Sequence, residues 1–312
     1  MSSHKNNRPK KGRLSLSIFI LAGILMVPKH SYSQYHQSFQ DERDLILSTA
    51  KLKLGPVFLL PNVLFNISYD SNIYGTVTTV NPVSDYLATI SVPIRACLLY
   101  RNWLVISFLE NPVYYYYFEL REERTLDNSY SAGSRILLFN RLSLSGNYEF
   151  LTYTGRLTSE MDQRITQTTD GYRINLFLET PRGTSFGFLG SNKKYSYEDE
   201  ILSGAGVPVS AALDRTERNA RVEFYYRIFS EAHLFSNFGY TEYIFSDNEA
   251  SYRDSYSYQA YSGIAFPILQ GRARGTICLG YKKLVPEQKD YQGFAGIVGD
   301  TSFSIRTGRC VF

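Results

Sequence analysis

Four histidines, three cysteines and 29 acidic residues are the groups from which this 312-residue chain could build a reactive centre. A serine hydrolase needs a histidine hydrogen-bonded to its nucleophile. His4 and His30 fall in a basic N-terminal segment, which leaves His36 in a polar stretch and His233 just after a short turn. No G-x-S-x-G elbow is present, nor an H-E-x-x-H pair or a phosphate-binding glycine loop. Cys97, Cys278 and Cys310 are widely spaced and odd in number, so they read as isolated thiols on strands. The expectation is a chain with no catalytic residue, no metal site and no cofactor.

The informative charges lie elsewhere, on alternating positions. From Leu142, one face reads Leu142, Leu144, Gly146, Tyr148 and Phe150, against Ser143, Ser145, Asn147 and Glu149. Tyr172, Ile174, Leu176 and Leu178 oppose Arg173, Asn175, Phe177 and Glu179. Ala220, Val222, Phe224, Tyr226 and Ile228 oppose Asn219, Arg221, Glu223, Tyr225 and Arg227. Ala273, Gly275, Ile277, Leu279 and Tyr281 oppose Arg272, Arg274, Thr276, Cys278, Gly280 and Lys282. Period two sends each set to its own side of a strand. Arg or Lys facing lipid near mid-membrane costs about 2–4 kcal/mol. In a membrane barrel Arg95, Arg135, Glu149, Arg173, Glu179, Arg221, Glu223, Arg227, Arg272, Arg274 and Lys282 would therefore line the lumen. Such an interior suits an anionic solute or glycan, with Tyr225 and Tyr261 able to stack on sugar rings. It equally suits ion pairing that only fills the space.

The elements that position these residues follow from composition and spacing. Twenty-six Tyr and 20 Phe favour strands. From about residue 55, ten-residue alternating segments are joined by links that are long and short by turns. Long links at 70–84, 118–129, 154–168, 198–213, 246–253 and 286–293 alternate with short ones at Arg101-Asn102, Asn140-Arg141, Pro181-Arg182-Gly183, Phe229-Ser230-Glu231 and 267–271. An up-and-down barrel with short turns at one rim and loops at the other has this pattern; a Greek-key sandwich has no reason for it. The fold class is all-β, a transmembrane up-and-down antiparallel β-barrel over 55–312. About twelve strands are visible, and Cys310-Val311-Phe312 reads as the start of a thirteenth, as if the chain stopped within a larger, even-numbered barrel. Tyr100, Trp103, Tyr114 to Tyr117, Tyr148, Phe150, Tyr153, Tyr195, Tyr197, Tyr243 and Phe245 sit near strand ends, as interfacial aromatic girdles do.

The N-terminus explains the basic balance. Lys5, Arg8, Lys10, Lys11, Arg13 and Lys29 stand among the first 33 residues with no acidic residue. Taking these six from the 33 basic residues leaves 27 against 29 acidic, a net charge of about −2. No nucleic-acid partner is implied. The basic run, the apolar stretch Leu14–Val27 and the Ser31-Tyr32-Ser33 triplet form a secretory signal over 1–33, cleaved between Ser33 and Gln34. Residues 34–54 read as a periplasmic lead-in with a short helical pattern at Asp44 to Leu47. Polar loops such as Arg121 to Ser129 and Tyr197 to Leu202 suit contact with lipopolysaccharide or an exported glycan.

Two stretches carry a resemblance. Gly55-Pro56-Val57-Phe58-Leu59-Leu60-Pro61-Asn62-Val63 and Tyr69-Asp70-Ser71-Asn72-Ile73-Tyr74, with Asp290 to Asp300 and Thr307-Gly308-Arg309 further on, are similar to the β-barrel porin 2 family. That resemblance implies an outer-membrane barrel associated with exopolysaccharide biosynthesis and export, a conduit or an accessory to one. Its partners would be outer-membrane lipid, lipopolysaccharide, polysaccharide and periplasmic export components. A general diffusion porin, a non-conducting structural barrel and, last, an outer-membrane enzyme are the other readings. Asp70 and Asn72 by themselves read as turn formers.

Overall fold

A computed structural model describes residues 39–73, 83–155, 164–181, 183–198, 208–229, 232–246, 253–268, 273–288, 291–307 and 310–311. One helix, α1 (Phe39–Thr49), precedes a single antiparallel sheet of sixteen strand segments. These are β1 (Leu52–Leu54), β2 (Val57–Pro61), β3 (Leu64–Asp70), β4 (Asp85–Ser91), β5 (Ile94–Tyr100), β6 (Leu104–Tyr117), β7 (Thr125–Leu138) and β8 (Leu142–Gly155), followed by β9 (Ile165–Glu179), β10 (Thr184–Tyr197), β11 (Arg215–Arg227), β12 (His233–Phe245), β13 (Ser255–Ile268), β14 (Ala273–Pro286), β15 (Phe294–Thr307) and β16 (Cys310–Val311). From β6 onward each strand pairs with the one before and the one after it in the chain. The architecture is the all-β, up-and-down barrel wall that alternation and link lengths predict. The sheet already begins at Leu52, where β1 pairs with β2, three residues ahead of the expected boundary.

Prolines explain why two crossings are split. A proline has no N–H for the ladder and is tolerated where pairing lapses. Pro61 ends β2, Pro93 separates β4 from β5, and Pro112 lies beside them in β6. The register does not slip across the crease: Ile94 faces Glu110 below it and Ser91 faces Val113 above it. Pro61 faces Ile94 and Leu64 faces Ser91 in the same way. Asn62 N–H donates to Pro93 O (2.9 Å) and Val92 N–H to Pro112 O (3.2 Å), stitching the gap. The two halves of each split crossing thus act as one strand, and with the ten strands β6–β15 make twelve long crossings among the described residues. No ladder among those residues joins β15 or β16 to β1, β2 or β3.

The tight turns sit at one rim. Phe139 (φ 54°) and Asn140 (φ 55°) both occupy the left-handed region, the requirement of a hairpin turn whose twist matches the strands. At the other rim, aspartates close the strand ends. Asp85 accepts the Glu119 and Leu120 N–H groups at 2.9 Å. Asp127 accepts Thr154 N–H (3.1 Å), and Asp254 accepts Phe245 N–H (2.7 Å). Each satisfies a donor that the ladder leaves at its last rung.

Polarity is inverted relative to a water-soluble sheet. His233, Asn237, Gln259 and Thr276 are 6–7% exposed, while Phe238, Ile174, Ile277 and Leu279 on the opposite face are 53–65% exposed. α1 lies against this face near the short turns, and a second helix, Val209–Leu213, meets Arg215 at the long-link end. Strands of 13–15 residues from β6 to β15 exceed the 9–11 a tilted membrane strand needs. Aliphatic and aromatic side chains share the outer face, and aromatic pairs gather towards both rims. Towards the long-link rim Tyr69–Tyr86, Tyr116–Phe118, Tyr130–Phe150 and Tyr240–Tyr258 have ring centroids 4.8–5.3 Å apart. At the short-turn rim Tyr100 meets Trp103 at 5.6 Å. No described helix is long and apolar enough to cross a membrane.

Adjacent positions on β9 test the two faces. Ile174→Arg, on the outer face, should cost about 2–4 kcal/mol in a lipid-reconstituted urea titration, while Asn175→Arg next to it should cost less than half of that. Equal losses would contradict the assignment of faces.

Candidate functional site

The polar inner face is the candidate site, and register fixes which residues it holds. Arg135 pairs with Val105 and Ser145, Glu149 with Ser131 and Gly171, and Arg173 with Asn147 and Ser191. Glu179 pairs with Ser185, Arg221 with Leu189 and Gly239, Glu223 with Gly187 and Asn237, and Arg227 with His233. Lys282 pairs with Gln259 and Gly296, and Arg95 with Leu60 and Leu109. All nine share the less exposed face. Arg274 pairs with Pro267 and Ser304 in β14. Arg272, Ser33 and Gln34 lie outside the described residues.

Three zones follow from short turns to long links. Near the turns the face carries two apolar clusters, beside Glu179 opposite Ser185 and Arg227 opposite His233. Phe39 and Ile46 of α1 pack with Phe58, Cys97 and Val105, with Leu60, Leu99 and Leu137 around them. Across the same zone Phe177, Tyr225 and Phe235 form a second cluster, with centroids 6.1 and 6.3 Å apart. Period two also places apolar residues on the inner face, and at this level they meet. Glu42 crowns the first cluster, its two carboxylate oxygens taking Arg95 Nη2 at 3.3 Å and Arg135 Nη1 at 2.9 Å. Arg135 Nε donates to Ser143 Oγ at 2.9 Å, which holds the guanidinium in place. Burying Phe39 and Ile46 contributes about 1.5–3 kcal/mol each. Partly exposed ion pairs contribute about 0–1 kcal/mol each. The apolar anchors therefore hold α1, and Glu42 sets its seat.

The middle zone is ionic. Lys193 pairs with Glu149, and Arg221 with Glu223 at 3.3 Å, while Tyr225 Oη donates to Glu223 at 3.2 Å. Asn175 Nδ2 donates to Ser145 Oγ (3.1 Å) and Asn219 Nδ2 to Thr241 Oγ1 (2.7 Å). Arg173 and Lys282 here, and Arg227 at the turn end, have no acidic partner among the described residues. Asn175 Oδ1, Asn219 Oδ1, Asn237 Oδ1 and Arg221 Nε, all buried and inward, have no protein partner. Glu149 and Glu223 are each matched by a cation, and Arg173 and Lys282 add further positive charge to this zone.

At the long-link end the inner wall is lined by arginines on aromatic rings. Arg164 lies over Tyr117 at 5.0 Å, Arg215 over Tyr195 at 4.6 Å and Arg253 over Phe245 at 4.5 Å. Arg164 also pairs with Glu123 (3.0 Å) and Arg215 with Glu217 (2.8 Å). Tyr115, Tyr117, Tyr153, Tyr195, Tyr197, Tyr243 and Phe245 thus belong to the inner wall and not to an outer girdle, because each shares its strand parity with an inward polar residue. Strand-end position alone does not separate the two; parity does. Lys193 was legible by the same parity, whereas Glu42 had no signal short of the docked helix. His233 lies buried beside Arg227 at the turn end.

No known family's sequence model matches the chain, and no curated protein is similar to it. A solved structure, the translocator domain of the autotransporter NalP from Neisseria meningitidis, is similar at 11% identity over 86% of this chain and 95% of that one, with a TM-score of 0.34. A likeness that remote carries nothing about function.

Ile46→Ala should weaken the docking of α1 by about 2–5 kcal/mol, and Glu42→Gln by about 1 kcal/mol. Amide hydrogen exchange in α1 reads both. A larger loss in Glu42→Gln would put the weight of docking on charge.

Proposed function

We propose that the chain is an outer-membrane β-barrel serving exopolysaccharide export, as a conduit or an accessory to one. The observation that supports the reading is the inverted sheet: an exposed apolar face opposite a less exposed polar face carrying Arg and Lys beyond its ion pairs. A polar polymer crossing lipid would have to shed its water at a cost of several kcal/mol per group. A wet inner wall removes that cost, and Arg173, Arg227 and Lys282 favour chains bearing negative charge. No bond is made or broken in this role. The link to exopolysaccharide comes from the resemblance of residues 55–74 and 290–309 to the porin 2 family. Docking of α1 over the turn end favours a second reading, a barrel that does not conduct at rest.

Deleting the gene should lower surface polysaccharide several-fold while uptake of small sugars is unchanged. Replacing Arg173 and Lys282 together by Glu should reproduce the deletion with the barrel still folded on a heat-modifiability gel. Normal polysaccharide in both strains would rule the role out, and steady conductance of the purified protein with normal polysaccharide would favour a diffusion porin.

A further inference from the structure

Two guanidinium groups from separate crossings converge on one carboxylate. Arg95 on β5 faces Leu109 of β6, Arg135 on β7 faces Val105 of the same strand, and each takes a different oxygen of Glu42. Each guanidinium gives the carboxylate one charge-assisted contact, and together they engage both oxygens. Nothing in the wall demands that the carboxylate be the chain's own. We propose that Arg95 and Arg135 form a binding site for the carboxylate of an acidic glycan, and that Glu42 fills it as a built-in ligand, making α1 a displaceable stopper over the turn end of the inner face. The inference rests on the export reading and names the chemistry of its cargo: a sugar bearing a carboxylate, such as a uronic acid.

The helix is built to leave. It has eleven residues, and Leu45 and Leu47 are 46% and 44% exposed, so only Phe39 and Ile46 anchor it among its apolar side chains. Helices shorter than about 12–15 residues are marginal alone, so α1 unfolds once undocked. Its departure uncovers Cys97, which is 1% exposed beneath it and two residues from Arg95. A native thiol therefore reports on both the stopper and the site.

The test uses the mature chain with Cys278→Ser and Cys310→Ser, folded in detergent micelles and checked by heat-modifiability, and a charged maleimide. Ile46→Asp should label Cys97 at least about tenfold faster than the parent. In Ile46→Asp, oligogalacturonate should slow labelling and neutral maltohexaose should not, and adding Arg135→Gln should abolish the protection. Glu42→Lys, which repels both arginines from the seat, gives the same readouts where Ile46→Asp fails to fold. Equal labelling of parent and variants would overturn the stopper, and equal effects of the two glycans would overturn the carboxylate site. A gene deletion with normal surface polysaccharide would remove the export role and leave these binding measurements standing, so the two failures are distinguishable.

Discussion

The constraint on which this structure depends is that a strand has two faces and a backbone that must be paired. Each N–H and C=O left open in an apolar medium costs several kcal/mol, so the chain runs as one meander in which each long crossing bonds its neighbours. Side chains then have only two places to go. Ile174, Leu176 and Leu279 take one face, and Arg173, Asn175 and Lys282 the other. The sheet curls over its charged side because that is the side that must be kept from grease.

Within that frame the inner face is graded, and the grading is what gives the molecule more than a wall. Near the tight turns, Phe177, Tyr225 and Phe235 on one side and the α1 cluster on the other exclude water. Above them, Glu149, Lys193, Arg221 and Glu223 make a polar, ion-paired zone. At the long-link rim, arginines lie over the rings of Tyr117, Tyr195 and Phe245. Aspartates such as Asp85 and Asp254 finish the ladders there, fixing where strand gives way to loop.

Alternation made most of this legible from residue types alone. The strand faces, the turn positions and twelve crossings all follow from period two and from the spacing of turn residues, because both are local. What escaped was non-local or depended on height. Pro61, Pro93 and Pro112 are far apart in the chain and form a crease only once the register sets them side by side. Tyr153 and Tyr195 looked like girdle residues because they stand at strand ends, yet their parity turns them inward. Glu42 is one carboxylate in a polar stretch, and only the docking of Phe39 and Ile46 brings it to arginines 53 and 93 residues away.

The central claim is that the apolar face meets hydrocarbon while the charged face meets water. Spin labels placed one at a time from Tyr172 to Leu176 on β9, in lipid vesicles, test it through collision with oxygen and with a water-soluble nickel complex. The account requires oxygen contact to peak at 172, 174 and 176 and nickel contact at 173 and 175. Uniform accessibility along the segment, or a protein that stays in solution without lipid or detergent, would contradict it.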